Sequence, residues 1–240
     1  MKLSIVIPVF SEERTISRVI GRVLAAPMGD GFDEREVIVV DDGSADGTVA
    51  AIEAMATREG WGDVVLLRHE RNRGKGAALR TGFAKATGDV VLVQDGDLEY
   101  DPADYPALLG PIVRGEADVV YGTRFGRGAR QRAAGATVWN WHGRGNRLLT
   151  VLSNMVTGLS LTDMETGYKV FRRDVLSRIT IREDRFGVEP ELTAKVARLG
   201  ARVVEVPISY SRRGYAEGKK IGPRDAVRAV WCIVRYWVGG

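Results

Sequence analysis

The sequence predicts an α/β fold with a mostly parallel sheet covered by helices on both faces. Two observations carry that expectation. Up to about residue 122, apolar β-branched runs alternate with helical stretches, the pattern of strands joined by helical crossovers. The runs are also continuous, as in Val90-Val91-Leu92-Val93, which is how a strand buried on both faces reads. At 240 residues the chain has the length of one large α/β domain.

The strand-like runs lie at 3–9, 36–40, 64–67, 89–94 and 117–121. Helical stretches fall between them, near 12–26, 46–58, 75–87 and 102–114. Asp46-Gly47-Thr48 and Asp101-Pro102 mark two helix starts, by side-chain capping and by the tolerance of a first turn for proline. Beyond an arginine-rich stretch the pattern is less regular. A long helix is expected at 139–157, a strand at 167–171, a helix at 188–199 and a strand at 202–210. A final helix at 224–238 carries Arg224, Arg228, Cys232 and Arg235 as a narrow polar stripe. Its remaining face holds Val227, Val230, Trp231, Val234, Trp237 and Val238. Two readings stand for it: a helix packed on the core, or one lying on a membrane surface with basic and Trp anchors. No internal repeat, linker or low-complexity segment is present.

Composition narrows the class. The apolar fraction of 45% and charged fraction of 28% are those of a soluble globular protein. The single cysteine, Cys232, excludes an intrachain disulfide and a cysteine-cluster metal site. The N-terminus leads straight into a strand without a signal-peptide core. No apolar run reaches the roughly 18–20 residues that span a bilayer. A cytosolic chain is expected. Net charge is only +4 but unevenly spread. No acidic residue lies between Asp118 and Asp163, a stretch that holds Arg124, Arg127, Arg130, Arg132, Arg144 and Arg147. Arginine presents a planar fork suited to phosphate or carboxylate oxygens. A second basic cluster contains Arg212, Arg213, Lys219, Lys220, Arg224 and Arg228. Neither interleaves the aromatics of a base-stacking platform, so nucleic acid is not the expected partner.

The chemistry gathers at strand ends. Asp95-Gly96-Asp97-Leu98-Glu99 follows the apolar run at 90–93 and so marks the carboxyl end of a buried strand, the edge where open α/β sheets bind ligands. If the chain stays extended, Asp95, Asp97 and Glu99 point the same way. Carboxylates of one sign converge only around a cation, and Mg²⁺ typically takes one or two of them plus substrate phosphates. The reading is a metal–diphosphate site, with a plain acidic turn at Gly96 as its alternative. Pro8-Val9-Phe10-Ser11-Glu12-Glu13 ends the first strand, where Glu12 either faces a ribose or base or serves a helix start. Asp41-Asp42-Gly43-Ser44 ends the second, as a ribose or base acceptor or an ordinary Asp-Gly turn. Asn72-Arg73-Gly74-Lys75-Gly76-Ala77 opens a helix whose backbone N–H groups and Lys75 suit a phosphate or nucleotide edge. It matches neither a Walker loop nor a dinucleotide fingerprint. No Gly-x-Ser-x-Gly elbow is present, and two histidines, His69 and His142, are too few for a metal cluster; each reads as a surface or packing residue.

In this order the motifs resemble a family 2 glycosyltransferase of GT-A fold, of the dolichol-phosphate mannosyltransferase and bacterial polyprenyl-phosphate glycosyltransferase group. The likeness runs through Gly122-Thr123-Arg124-Phe125, Asp163-Met164-Glu165-Thr166-Gly167-Tyr168-Lys169, Phe186-Gly187-Val188-Glu189-Pro190-Glu191-Leu192 and Glu217-Gly218-Lys219-Lys220-Ile221. It covers nearly the whole chain. The resemblance implies a single catalytic domain, with residues 1–122 binding the nucleotide-sugar, 123–223 the acceptor, and 224–238 forming the terminal helix. It implies that Pro8, Phe10, Glu12, Asp42 and Lys75 hold base and ribose. Asp95 and Asp97 would hold Mg²⁺ or Mn²⁺ on the diphosphate, with Glu99 as third ligand. Arg124 and Arg130 would bind an acceptor phosphate, while Arg212, Lys219 and Lys220 sit in a loop closing over the donor phosphates. Relatives often have asparagine at Ser11 and a different residue at Glu99, and some append transmembrane helices.

The implied reaction is inverting transfer of a hexose from GDP-mannose or UDP-glucose to a polyprenyl or dolichyl phosphate. That acceptor is already an anion and needs no strong base. A hydroxyl acceptor on a glycan or protein would need one, with Asp163 or Glu189 as candidates. A non-catalytic nucleotide-sugar binding module is the alternative of another class.

Overall fold

The computed structural model describes residues 1–59, 64–125, 128–131, 141–211 and 223–239. Its first half builds the expected alternation: β1 (Lys2–Val9), α1 (Ile16–Ala25), β2 (Glu34–Asp41), α2 (Thr48–Glu59), β3 (Val64–Arg68), α3 (Lys75–Lys85) and β4 (Val90–Val93). A 3₁₀ turn at Pro102–Asp104 leads into α4 (Tyr105–Val113) and then β5 (Val119–Thr123). Asp101 accepts the Ala103 N–H at 3.1 Å and Asp46 accepts the Thr48 N–H at 3.1 Å, so both sequence-marked starts are real caps. The second half adds β6 (Arg130–Gln131), α5 (Trp141–Thr157), β7 (Lys169–Arg172), α6 (Arg173–Leu176), α7 (Val188–Arg198), β8 (Val203–Pro207), β9 (Ser209–Tyr210) and α8 (Pro223–Gly239).

Seven strands form one sheet in the order β3-β2-β1-β4-β7-β5-β8. Val6, Val39, Val91 and Val120 are wholly buried, and apolar clusters lie on both faces of the sheet. Helix α1 shows how the cover is made: Ile16, Val19, Ile20 and Val23 are its buried residues, spaced to lie on one helical stripe. All neighbouring strands run parallel except β7, which is antiparallel to both β4 and β5. The sequence places a strand here but does not show its direction. The reversal has a consequence for the site. Lys169, the first residue of β7, pairs with Val93 at the end of β4 and with Tyr121 in β5. The loop before β7 therefore reaches the same sheet edge as the loops after the parallel strands.

Helix α8 packs on the protein, but through a face other than the apolar one the sequence marks. Ala229, Cys232, Ile233 and Tyr236 are buried, whereas Val227 and Val238 are 73% and 78% exposed. Cys232, assigned by sequence to the polar stripe, faces the protein. Glu183 anchors the helix: Arg228 donates to it at 2.7 and 3.0 Å and the Tyr236 hydroxyl at 2.8 Å. Burial raises the Glu183 pKa, and the bonds from Arg228 and Tyr236 more than offset this, so the net shift is downward. Glu183→Ala leaves a buried tyrosine hydroxyl without its partner, which costs about 1–3 kcal/mol. A lowered urea midpoint, with faster amide exchange confined to α8, is the expected result.

Candidate active site

The two halves of the sheet meet between β1 and β4. From β1 the chain winds outward through β2 and β3 on one side, then returns to lay β4 on the other. Such a switch point opens a crevice at the carboxyl ends of the strands. Pro8, Phe10 and Glu12 stand at the end of β1, Asp42 beyond β2, Lys75 at the start of α3, and Asp95 two residues past β4. These positions thus lie at strand ends or a helix start along one edge of the sheet.

Short polar contacts fix these loops. The Ser11 and Glu12 N–H groups donate to the Ser44 and Thr48 hydroxyls, each at 2.8 Å. Ser11 is the one described non-glycine residue with positive φ, at 54°, the left-handed region that asparagine tolerates better. Asp42 is buried and acts as a loop clamp. It accepts the Arg73 and Gly74 N–H groups at 2.9 and 2.6 Å, and the ring of His69 at 2.7 Å. The Thr81 hydroxyl holds the other nitrogen of His69 at 2.9 Å. His69 is therefore a packing residue, as expected, but one that orients an anticipated ligand-binding carboxylate.

Extension of the acidic segment is the expectation that the structure corrects. Strand β4 ends at Val93, and the Glu99 N–H donates to Asp97 Oδ1 at 3.0 Å. That bond closes a turn, so Asp95, Asp97 and Glu99 do not alternate along a strand. Among the described residues, no three His, Cys, Asp or Glu side chains are grouped as a ready metal cage.

Asp95 belongs instead to a line of charges. Lys75 Nζ lies 2.8 Å from Asp95 and 2.9 Å from Glu189, and Lys169 Nζ contacts the other oxygen of Glu189. Lys169 also donates to the carbonyls of Met164 and Thr166 at 3.1 and 2.5 Å. Burial alone would lower the Lys75 pKa, but Asp95 and Glu189 hold it well above the usual range, so the ammonium stays charged. Lys75, expected at a nucleotide's base or ribose, faces two carboxylates, Asp95 and Glu189. Gly167 explains how Asp95 fits, because a Cβ there would stand 2.1 Å from Asp95 Oδ2.

Arg124 is paired across the crevice. Its Nε and Nη2 each donate to Asp163 at 2.7 Å, and its guanidinium lies 5.3 Å from the Tyr210 ring centre. Asp163 also accepts from the Asn146 amide at 2.9 Å. Burial opposes its ionisation, yet the guanidinium and these bonds keep its pKa below 3.8. The Arg130 backbone lies in β6, whereas Arg212, Lys219 and Lys220 fall outside the described residues.

Sequence reasoning did not single out Glu165 or Lys169 as site residues. Both arrive on the antiparallel β7 turn, which strand alternation does not reveal. Glu165 Oε1 is buried with no hydrogen-bond partner. Burial first, then the negative charge of Glu189, pushes its pKa up from 4.5 to about 7.

Residues 4–180 match the glycosyl transferase family 2. The chain belongs to that family. An undecaprenyl-phosphate mannosyltransferase of Micrococcus luteus is 30% identical over all of this chain and 97% of its own length. A dodecaprenyl-phosphate galacturonate synthase of Rhizobium johnstonii is 28% identical over 91% of this chain, which spans 62% of that relative. The structure of glucosyl-3-phosphoglycerate synthase from Mycobacterium tuberculosis with Mn²⁺, UDP-glucose and phosphoglyceric acid is similar at TM-score 0.72. That likeness has 25% identity and covers 98% of this chain and 79% of the other. The transferase therefore has the GT-A fold.

In this family 2 glycosyltransferase Glu165 binds its proton more tightly folded than unfolded. The sign follows directly: the group's contribution to stability is greatest below about pH 4.5 and declines as pH rises through about 7. Glu165→Gln cannot ionise, so its urea midpoint should gain on that of the parent between about pH 5 and pH 8. An unchanged difference across that range would refute the raised pKa.

Proposed function

We propose that the transferase moves a hexose, with inversion, from a nucleotide-diphospho-sugar to a polyprenyl phosphate. The observation that carries the acceptor class is the commitment of both carboxylates anticipated as bases. Asp163 is forked to Arg124, and Glu189 lies between the ammonium groups of Lys75 and Lys169. Carboxylate oxygens already engaged by cations are not aimed at a substrate hydroxyl, and a phosphate acceptor does not need a base. The names of the Micrococcus and Rhizobium relatives support the same acceptor. GDP-mannose leads as donor through the mannosyltransferase likeness, with UDP-glucose next.

Asp95 and Asp97, with Glu99, would hold Mg²⁺ or Mn²⁺; their hard oxygens suit either ion. When bound, such an ion stabilises charge on the leaving nucleoside diphosphate. Pro8, Phe10, Glu12 and the loop clamped by Asp42 line the nucleotide side. Lys75 supplies positive charge at the diphosphate. Arg124, aimed and held by Asp163, offers its remaining N–H groups to the acceptor phosphate, with Arg130 joining it. Lys219, Lys220 and Arg212, which lie outside the described residues, would add positive charge for the donor phosphates.

Glu165 favours a second reading, transfer to a hydroxyl, since a carboxyl with pKa near 7 is suited to general-base work. The assay is sugar transfer from labelled GDP-mannose and UDP-glucose to a polyprenyl phosphate, with Mn²⁺ or with chelator. Metal-dependent lipid product is expected from one donor. Arg124→Ala should reduce it by at least about 100-fold, in keeping with loss of a charge-stabilising donor, while Glu165→Gln keeps most of the rate. The reverse ranking, or no lipid product, would favour the hydroxyl acceptor.

An apolar face supports peripheral membrane contact at the cytoplasmic surface. Val227, Val230, Trp231, Val234 and Trp237 on α8 are exposed together with Leu148, Val151 and Met155 on the adjoining α5. No helix among the described residues is long and apolar enough to cross a bilayer. Arg228 stacks on Trp231 at 4.0 Å, placing a cation beside the aromatic anchor. Co-sedimentation with anionic vesicles should fall about tenfold or more in Trp231→Glu/Val234→Glu, with transfer to a water-soluble short-chain acceptor retained.

A further inference from the structure

The charge line at the diphosphate end raises a question of sequence in binding. Asp95 Oδ1 is the oxygen that Lys75 Nζ approaches at 2.8 Å. Its other oxygen is walled by Gly167, so the carboxylate has little room to present a different edge. A divalent cation and an ammonium group compete for one carboxylate oxygen, because they repel each other at the partly buried edge of the core. The Lys75 side chain is only 17% exposed, so it does not simply retreat into bulk water.

Charge balance points the same way. Asp95, Lys75, Glu189 and Lys169 are formally neutral as a set. Beside Asp97 and Glu99, a divalent cation entering alone would find the charge of Asp95 already matched by Lys75. A nucleoside diphosphate brings the matching negative charge and offers Lys75 a replacement anion. Glu189 holds Lys75 through one oxygen, and Lys169 contacts its other oxygen.

We propose that Lys75 is an exchange cation: it holds the metal-binding oxygen of Asp95 until a nucleoside diphosphate arrives, then passes to a phosphate oxygen. The cation and the diphosphate consequently bind as a unit, and the site does not load metal first. This rests on the nucleotide-sugar reading above, and Lys75 is a positioning residue in it. No covalent bond changes; Asp95 trades an N–H donor for the cation, and Lys75 trades one oxyanion for another.

The test is Mn²⁺ binding to the full chain, read by the electron paramagnetic resonance of free Mn²⁺, alone and with GDP or UDP. Lys75→Gln is expected to bind Mn²⁺ alone at least about tenfold more tightly than the parent. By linkage, the tightening of Mn²⁺ by nucleotide should shrink by a similar factor. Lys75→Arg keeps the charge and should stay within about twofold of the parent. Equal nucleotide-free Mn²⁺ affinity in the parent and Lys75→Gln, with normal nucleotide binding, would overturn the exchange alone. Failure of GDP and UDP to bind the parent at any Mn²⁺ level would instead overturn the donor reading. Should Lys75→Gln fail to fold, the ¹⁵Nζ resonance of Lys75 in the parent decides. It should shift with Mg²⁺ plus nucleotide but not with Mg²⁺ alone at the same concentration; a shift with Mg²⁺ alone would overturn the exchange.

Discussion

A buried ammonium group must be matched by a carboxylate, and Lys169 finds its partner in Glu189. Lys169 is 1% exposed at the first position of β7, while Glu189 lies in the first turn of α7. Their contact ties the reversed strand to a helix from another part of the chain. Breaking a buried pair by removing one partner typically costs 3–5 kcal/mol, so the arrangement is held firmly. Lys75 joins the free side of Glu189 and carries the connection to α3 and to Asp95 beyond β4. The crevice is thus organised by alternating charge, each member fixing the next.

Close backbone approach does what charge cannot. A Cβ at Gly76 would stand 2.0 Å from the Glu183 carbonyl oxygen, so the loop that bears Lys75 rests on the backbone of 183–184. The Ala77 N–H donates to the Asp184 carbonyl at 3.0 Å in the same contact. The Glu183 side chain, pointing the other way, holds Arg228 and Tyr236 of α8. One residue therefore abuts the start of α3 with its carbonyl and holds the outer helix with its carboxylate. The apolar face of α8 is consequently borne on an element in continuous contact with the part of the crevice that holds Lys75.

The polar interior around Arg124 follows another logic. Its fork on Asp163 uses the geometry in which arginine binds carboxylates best. Asn146, from α5, completes the carboxylate's shell, while Tyr210 and Phe125 lie against the guanidinium. A cation so held is prepositioned, and its orientation need not be found when a ligand arrives. Glu165 sits near this pair and the lysine line with no partner for one oxygen, and burial first, then the charge of Glu189, raises its pKa.

The sequence by itself determined the layered α/β class, the placement of nearly every strand and helix, and the strand-end loops where Phe10, Asp42, Lys75 and Asp95 gather. Continuous apolar runs, caps and acidic strand ends are local properties, written in neighbouring residues. Only the tertiary structure decided that β7 runs backward, that Lys75 faces Asp95 and Glu189, and that the apolar face of α8 looks outward. Strand direction depends on which neighbours a strand pairs with, and ion pairing on which loops meet; neither is a property of a local stretch. Residues 163–169 carry the recognisable motif in one dimension, but their chemistry arises only where an antiparallel strand brings them to an edge built by parallel ones.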